Sequence, residues 1–222
     1  MAVVKKRAPN DIAADFKFQS QRDDCWSVCI HNILKELATR KDRPSLRLSE
    51  ARLNRAMGYG GGGYGALSIR IDRVRPNINR LIRMSGFLLT ELTEVSLAGL
   101  REITDNEGLS FPIAGLSYLF LRDKRQAGSR LTFEEEPPVG IDHSVVVLDV
   151  SEEKVVVFDP LERFSRGGKG GDGVITVSGP SFLAYWSQAS VDRQWLMYAA
   201  PIVKKGVRTL DEYKGKEDEN QN

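Results

Sequence analysis

His143-Ser144-Val145-Val146-Val147-Leu148-Asp149-Val150, then Ser151-Glu152-Glu153-Lys154, then Val155-Val156-Val157-Phe158-Asp159 decides the fold. Two runs of branched and aromatic residues flank four polar turn-formers, which predicts an antiparallel hairpin. Folding it brings His143, at the start of one strand, and Asp159, at the end of the other, to the same end of the pair. The pairing register is not readable from the residues alone. Working outward, Phe111–Leu121, Val174–Val177 and Gln194–Pro201 are further short strand-like runs, and Ser181–Trp186 predicts a short helix.

The first half has a different period. Ile30, Ile33, Leu34 and Leu37 recur at helical spacing behind Asp24, a good N-cap, and predict a helix over Cys25–Ala38. A second helix is expected over Leu46–Met57, ended by Gly58, and a third over Leu67–Met84 with a break near Pro76. Helices first and antiparallel strands afterwards is the α+β pattern. A polar lead-in over residues 1–15 and a tail over 206–222 with little apolar surface are expected to be flexible, leaving one domain over 16–205.

The chain has 222 residues, 41% hydrophobic and 28% charged, ordinary proportions for a soluble globular protein. No apolar run suits a signal peptide or a bilayer span, so no membrane contact is expected. Its two cysteines, Cys25 and Cys29, stand four residues apart, which rules out a disulfide framework and suits the reducing cytoplasm. Net charge is only +2 but unevenly placed. Residues 40–83 carry eleven Arg and Lys against three acids, whereas residues 84–162 carry six against fifteen. The basic segment is either a solvated face or a surface for an acidic partner. Nucleic acid is not expected, since neither interleaved aromatics nor a binding motif accompanies the charge.

Chemistry centres on Cys25. The thiolate is the reactive form of a cysteine, and a helix N-terminus or a neighbouring imidazolium stabilises it. Cys25 opens the predicted helix, His143 is the base the fold must deliver, and Asp159 would hold the second ring nitrogen of His143 and fix its tautomer. Attack on an acyl group builds negative charge on oxygen; the Gln19 amide and the Cys25 backbone N–H are candidate donors to it. Gln19, Cys25, His143 and Asp159 are therefore the candidate catalytic residues.

Gln19 six residues before Cys25, with Cys25 followed by an aromatic and small residues on a helix, resembles the papain superfamily of cysteine peptidases. The pattern is more similar still to the bacterial branch that removes double-glycine leaders from bacteriocin precursors. In that branch a Gln, five residues and an Asp-Cys pair open a helix, as Gln19 and Asp24-Cys25 do here. The Phe111–Leu116 strand, His143 followed by aliphatics, Asp159-Pro160, a glycine turn over Gly167–Gly173, Ile175–Val177, and Phe182 with Trp186 follow in the branch's order. The resemblance spans residues 16–200. It implies a papain-like fold, with a helical lobe opening on the nucleophile helix and packed on a twisted antiparallel sheet. It further implies Cys25 as nucleophile, His143 as general base and acid, Asp159 as orienter and Gln19 as oxyanion donor, acting on a peptide or isopeptide bond of a peptide or protein substrate, at a glycine-containing site, without metal or cofactor. Trp26 stands where the branch has Gly, and the basic stretch over 39–84, with its glycine-rich loop 58–65, has no counterpart there. That loop is either a surface loop or a flap over a cleft.

Two other functions share these residues: a glutamine deamidase or transglutaminase-like effector with the same triad, and a papain-like binding module with a basic partner-binding segment. Several residues have plainer readings. Cys29 reads as core or as a resolving thiol for Cys25. His31 reads as a half-exposed helix residue rather than a zinc ligand beside the two sulfurs. Asp142 and Asp149 compete with Asp159; Asp142 is the poorer candidate, because strand neighbours point to opposite faces. Trp26 and Trp186 read as core or cleft wall.

Overall fold

The structure is a computed structural model, in which residues 7–18, 25–58, 71–126, 142–161, 172–189 and 193–202 are described. The expected glycine-rich loop beyond Gly58, the Gly167–Gly173 turn up to residue 171, the tail over 206–222, Gln19 and Asp24 lie outside them. The protein is α+β. Seven α-helices occur among the described residues: α1 (Pro9–Ala13), α2 (Cys25–Arg40), α3 (Glu50–Met57), α4 (Ile71–Ile82), α5 (Leu97–Asp105), α6 (Tyr118–Gln126) and α7 (Gly179–Ser187). The six strands are β1 (Phe87–Leu92), β2 (Ile113–Leu116), β3 (His143–Val150), β4 (Lys154–Phe158), β5 (Val174–Ser178) and β6 (Leu196–Pro201). They form one sheet in the order β1-β6-β2-β3-β4-β5, with every neighbouring pair antiparallel.

Strand β3 explains the layering. A run of four consecutive apolar residues, Val145 to Leu148, has no polar face to give to water, so both faces of the strand must be covered. Val146 and Leu148 join one core cluster with Ile30, Ile33 and Leu34 of α2, Leu53 of α3 and Ile78 of α4. Val145 and Val147 join another with Leu100 of α5, Phe120 of α6 and Phe182 and Trp186 of α7. The sheet is thus held between two helical layers. The second layer was not expected: α5 and α6 were not predicted, and Phe111–Leu121 was read as one strand. In the structure β2 stops at Leu116 and α6 begins at Tyr118.

Local causes account for the helices. In α2, Ile30, Ile33, Leu34 and Leu37 are at most 1% exposed. Burying each side chain contributes about 1.5–3 kcal/mol. The helix runs two residues beyond the predicted end because Arg40 favours the negative C-terminal end. Its guanidinium binds the buried Glu36 carboxylate at 2.9 Å, the Leu109 carbonyl at 2.6 Å and the Glu107 carbonyl. The helix expected over Leu46–Met57 is two pieces, a 3₁₀ turn at Pro44–Leu46 and α3. Ser49 caps α3, its Oγ accepting from Arg52 N at 3.3 Å, and Gly58 closes it with φ +80°. No break occurs at Pro76, through which α4 continues before a 3₁₀ turn at Arg83–Ser85. Leu46, Leu53, Met57, Val74, Ile78 and Ile82 all enter the α2 core, so the described parts of the 39–84 stretch are integral to the domain. Residues 9–13, read as part of a flexible lead-in, form α1, and Ile12 and Phe16 are buried in the same core.

Two asparagine side chains each hold both backbone groups of a distant residue. Asn79 of α4 accepts from Leu89 N at 2.6 Å and donates to Leu89 O at 3.1 Å, capping the free edge of β1. Asn32, fully buried in α2, does the same for Lys17, at 2.8 and 2.9 Å, two residues before Gln19.

The predicted hairpin is present. Ser151 closes its turn, Ser151 N donating to Lys154 O at 2.8 Å and Lys154 N to Ser151 Oγ at 3.1 Å. Val147 pairs with Val157 but Asp149 with Val156, so Leu148 is the extra residue of a bulge. At the far end Gly173, with φ +71°, accepts from Asp159 N at 2.8 Å. A Cβ there would fall 2.6 Å from Phe158 Cε2 and 2.8 Å from Phe18 Cε1. Left-handed strain and overpacking add, so Gly173→Ala is expected to destabilise the fold by about 2–4 kcal/mol, read as a lowered urea midpoint at unchanged slope.

Candidate active site

The imidazole and carboxylate meet as the hairpin requires. His143 Nε2–H donates to Asp159 Oδ1 at 2.7 Å, with His143 3% and Asp159 0% exposed. The same Oδ1 accepts from Leu161 N at 2.8 Å. Asp159-Pro160-Leu161 therefore forms an Asx-type turn that orients the carboxylate towards the imidazole. The competing Asp149 lies opposite Val156 on β4, and neither it nor Asp142 takes the place of Asp159 on the ring nitrogen.

Cys25 is the first residue of α2 and remains partly exposed, beside the buried pair. Its side chain is close enough to His143 to raise the pKa of the ring, and since Nε2 is committed to Asp159, the nitrogen left for sulfur is Nδ1. These interactions set the imidazole's protonation. Burial pushes the His143 pKa down, but the Asp159 charge and hydrogen bond, with the nearby Cys25 side chain, outweigh it and raise the pKa from 6.5 to about 9. The ring is thereby disposed to hold its proton at neutral pH.

Three further side chains or peptide groups complete the site. Cys29, one helical turn below Cys25 and 0% exposed, donates its thiol to Ser144 O at 3.4 Å. Burial, then the charges of Cys25 and Asp159, push its pKa well up, so it stays a neutral thiol. It ties the helix that carries Cys25 to the residue that follows His143. The Phe120 ring lies parallel to the His143 ring, 6.2 Å between centroids and 12° between planes. Gly173 O holds the backbone of Asp159. Cys29 was read as core and Phe120 as part of a strand. The Asp-Pro turn was a usable signal for the Asx geometry; nothing in the residue order points to Phe120.

The remaining candidates fall elsewhere. Gln19 and the Asp24 cap lie outside the described residues. His31 is buried rather than half-exposed, and its Nδ1 faces Leu48 O at 3.1 Å, joining α2 to the segment before α3. Trp26 is core, and its Nε1 has no hydrogen-bond partner among the described residues. Trp186 is core as well, with Nε1 donating to Trp195 O at 2.7 Å. Among the described residues no group of three or more His, Cys, Asp or Glu is arranged to hold a metal ion, and no helix is long and apolar enough to cross a membrane. No protein-family model matches the chain, and no curated protein matches it either.

The raised pKa has a measurable sign. His143 binds its proton more tightly folded than unfolded, so its contribution to stability is fully present below about pH 6.5 and is lost as pH rises through about 9. The chain has only two histidines, so the ring signals are readily separated. In an NMR titration one imidazole, absent from His143→Gln, is expected to titrate near pH 9 and to move down by at least one unit in Asp159→Asn. A wild-type ring titrating near 6.5 would contradict this electrostatic account.

Proposed function

We propose that the protein is a papain-like cysteine peptidase that hydrolyses a peptide or isopeptide bond in a specific peptide or protein substrate. The observation that carries this reading is the buried His143–Asp159 pair at 2.7 Å, with the partly exposed Cys25 at the start of α2 interacting with the same imidazole. A structural cysteine has no need of a charged partner, and a structural histidine has no need of a thiol at its second nitrogen.

The chemistry follows from these positions. Cys25 passes its proton to His143 Nδ1, and the thiolate, at the positive end of α2, attacks the scissile carbonyl carbon. The tetrahedral oxyanion is received by the Cys25 backbone N–H and the Gln19 amide. As the C–N bond breaks, His143 gives its proton to the leaving amine, and Cys25 remains as a thioester. Water, deprotonated by His143, then cleaves the thioester and restores the thiol. Asp159 holds the ring through both proton transfers without taking a proton itself. Cys29 takes no part, because its thiol is buried and neutral.

The test is to incubate wild type and Cys25→Ala with candidate partner proteins and compare intact masses. New fragments with wild type alone support hydrolysis, and Cys25→Ala, His143→Ala and Asp159→Ala should each lower the rate by at least about 10³-fold. A small mass gain without fragments would replace the peptidase by a deamidase, and a joined product by a transglutaminase-like enzyme. Identical masses from both variants, with binding retained, would leave a binding module.

A further inference from the structure

The helical layer built by α3, α4 and the two 3₁₀ turns has an outer surface the mechanism does not use. On α3, Leu53 and Met57 face the core while Arg52 and Arg55 point outward, three residues apart. Val74, Ile78 and Ile82 of α4 face the same core; Arg80 and, in the turn that follows, Arg83 point outward with the same spacing. The helices pack on each other, as do the two 3₁₀ turns, which adds the exposed Arg43 and Arg47. None of these six arginines forms an ion pair among the described residues, whereas Arg75 of the same helix pairs with Glu91 at 2.9 Å. Exposed like charges on one surface repel, and among the described residues Arg75 and Arg40 have carboxylate partners while these six have none.

Apolar surface lies beside them. Met84 is 93% and Ile202 38% exposed, the two exposed large hydrophobic residues among those described. They are neighbours: Ile202 N donates to Gly86 O at 2.8 Å, which brings the end of β6 against the turn carrying Met84. A bare methionine next to Arg83 suits an aliphatic group held alongside carboxylates.

We infer that this face is a docking surface for an acidic protein segment bearing an apolar side chain. Charge complementarity names the sign of the partner, and Met84 with Ile202 names its second feature. The described residues of this layer include no aromatic side chain to stack on bases. The acid-rich half of the chain would also repel a long polyanion, while a short peptide needs to meet only the basic face. The inference is independent of which acyl chemistry Cys25 performs.

Full-length Cys25→Ala protein allows binding to be read without turnover. The probe is a fluorescent twelve-residue peptide of Asp and Glu with one central Leu, followed by anisotropy. Binding is expected to weaken several-fold between low and physiological salt, and by about ten-fold or more in Arg52→Ala/Arg55→Ala/Arg80→Ala/Arg83→Ala, but not in Arg101→Ala/Arg122→Ala, whose arginines are paired elsewhere. Met84→Ser should weaken the Leu peptide and spare one with Ser in its place. Binding no tighter than that of a Lys-rich peptide, an unaltered affinity in the quadruple variant, or tighter binding of duplex RNA or DNA would each overturn the inference. Thermal melts of the variants, which change only exposed side chains, establish that they are folded.

Discussion

A carboxylate with no exposed surface must be held by donors, and the arrangement around Asp159 follows from that requirement. Its Oδ1 accepts from His143 and from Leu161 N. The first bond demands that β3 and β4 pair so that the ends carrying these residues coincide. The second demands the Asp-Pro turn, and Gly173 must approach closely enough for its carbonyl to take the Asp159 N–H. Only a residue without a Cβ fits there, against the rings of Phe158 and Phe18. A glycine several residues downstream and two aromatics from different elements thus serve one buried charge pair. Removing either partner would strand the other's charge in the interior, so the pair constrains the hairpin more strongly than it stabilises it.

The thiol is brought to this pair by packing rather than by chain connectivity. More than a hundred residues separate Cys25 from His143, and the distance is closed because α2 buries its apolar stripe against the same strand that begins at His143. One turn below the thiol, Cys29 meets the Ser144 carbonyl. A small, weakly polar side chain suits this place: a larger one would lift the helix off the strand, and a charged one would perturb Asp159. Both the helix axis and its rotation are therefore registered against the strand close to where sulfur and imidazole meet.

Much of this was legible before any coordinates. The strands at His143–Val150 and Lys154–Phe158, the turn between them, the start of α2 and the juxtaposition of His143 with Asp159 all follow from runs of branched and aromatic residues, helical spacing and local turn chemistry. The second helical layer was not read, although the signs were there. Ser96 caps α5 by accepting from Gly99 N, and Leu97, Leu100 and Ile103 keep helical spacing. The unbroken valine runs of β3 and β4 also announce strands covered on both faces, which a single helical lobe could not provide. At Phe111–Leu121 the β-branched and aromatic content masked the change of period at Ser117, because a short apolar run is equally consistent with either state. Pro76 shows the opposite failure: tertiary burial of Val74, Ile78 and Ile82 on either side of the proline outweighs the one hydrogen bond the helix loses there.

Cys25 and Cys29 show where such reading stops. They are the same residue type on one helix, one turn apart, and no propensity or periodicity separates them. One lies at the helix start, partly exposed and close enough to an imidazole to raise its pKa. The other is fully buried, its thiol kept neutral by the apolar surroundings and by the negative charges above it. Burial raises the pKa of Cys29 and keeps it unreactive, whereas one turn nearer the helix start the Cys25 side chain keeps an open side. The difference belongs to the packing of α2 on β3, where the Ser144 carbonyl receives the Cys29 thiol.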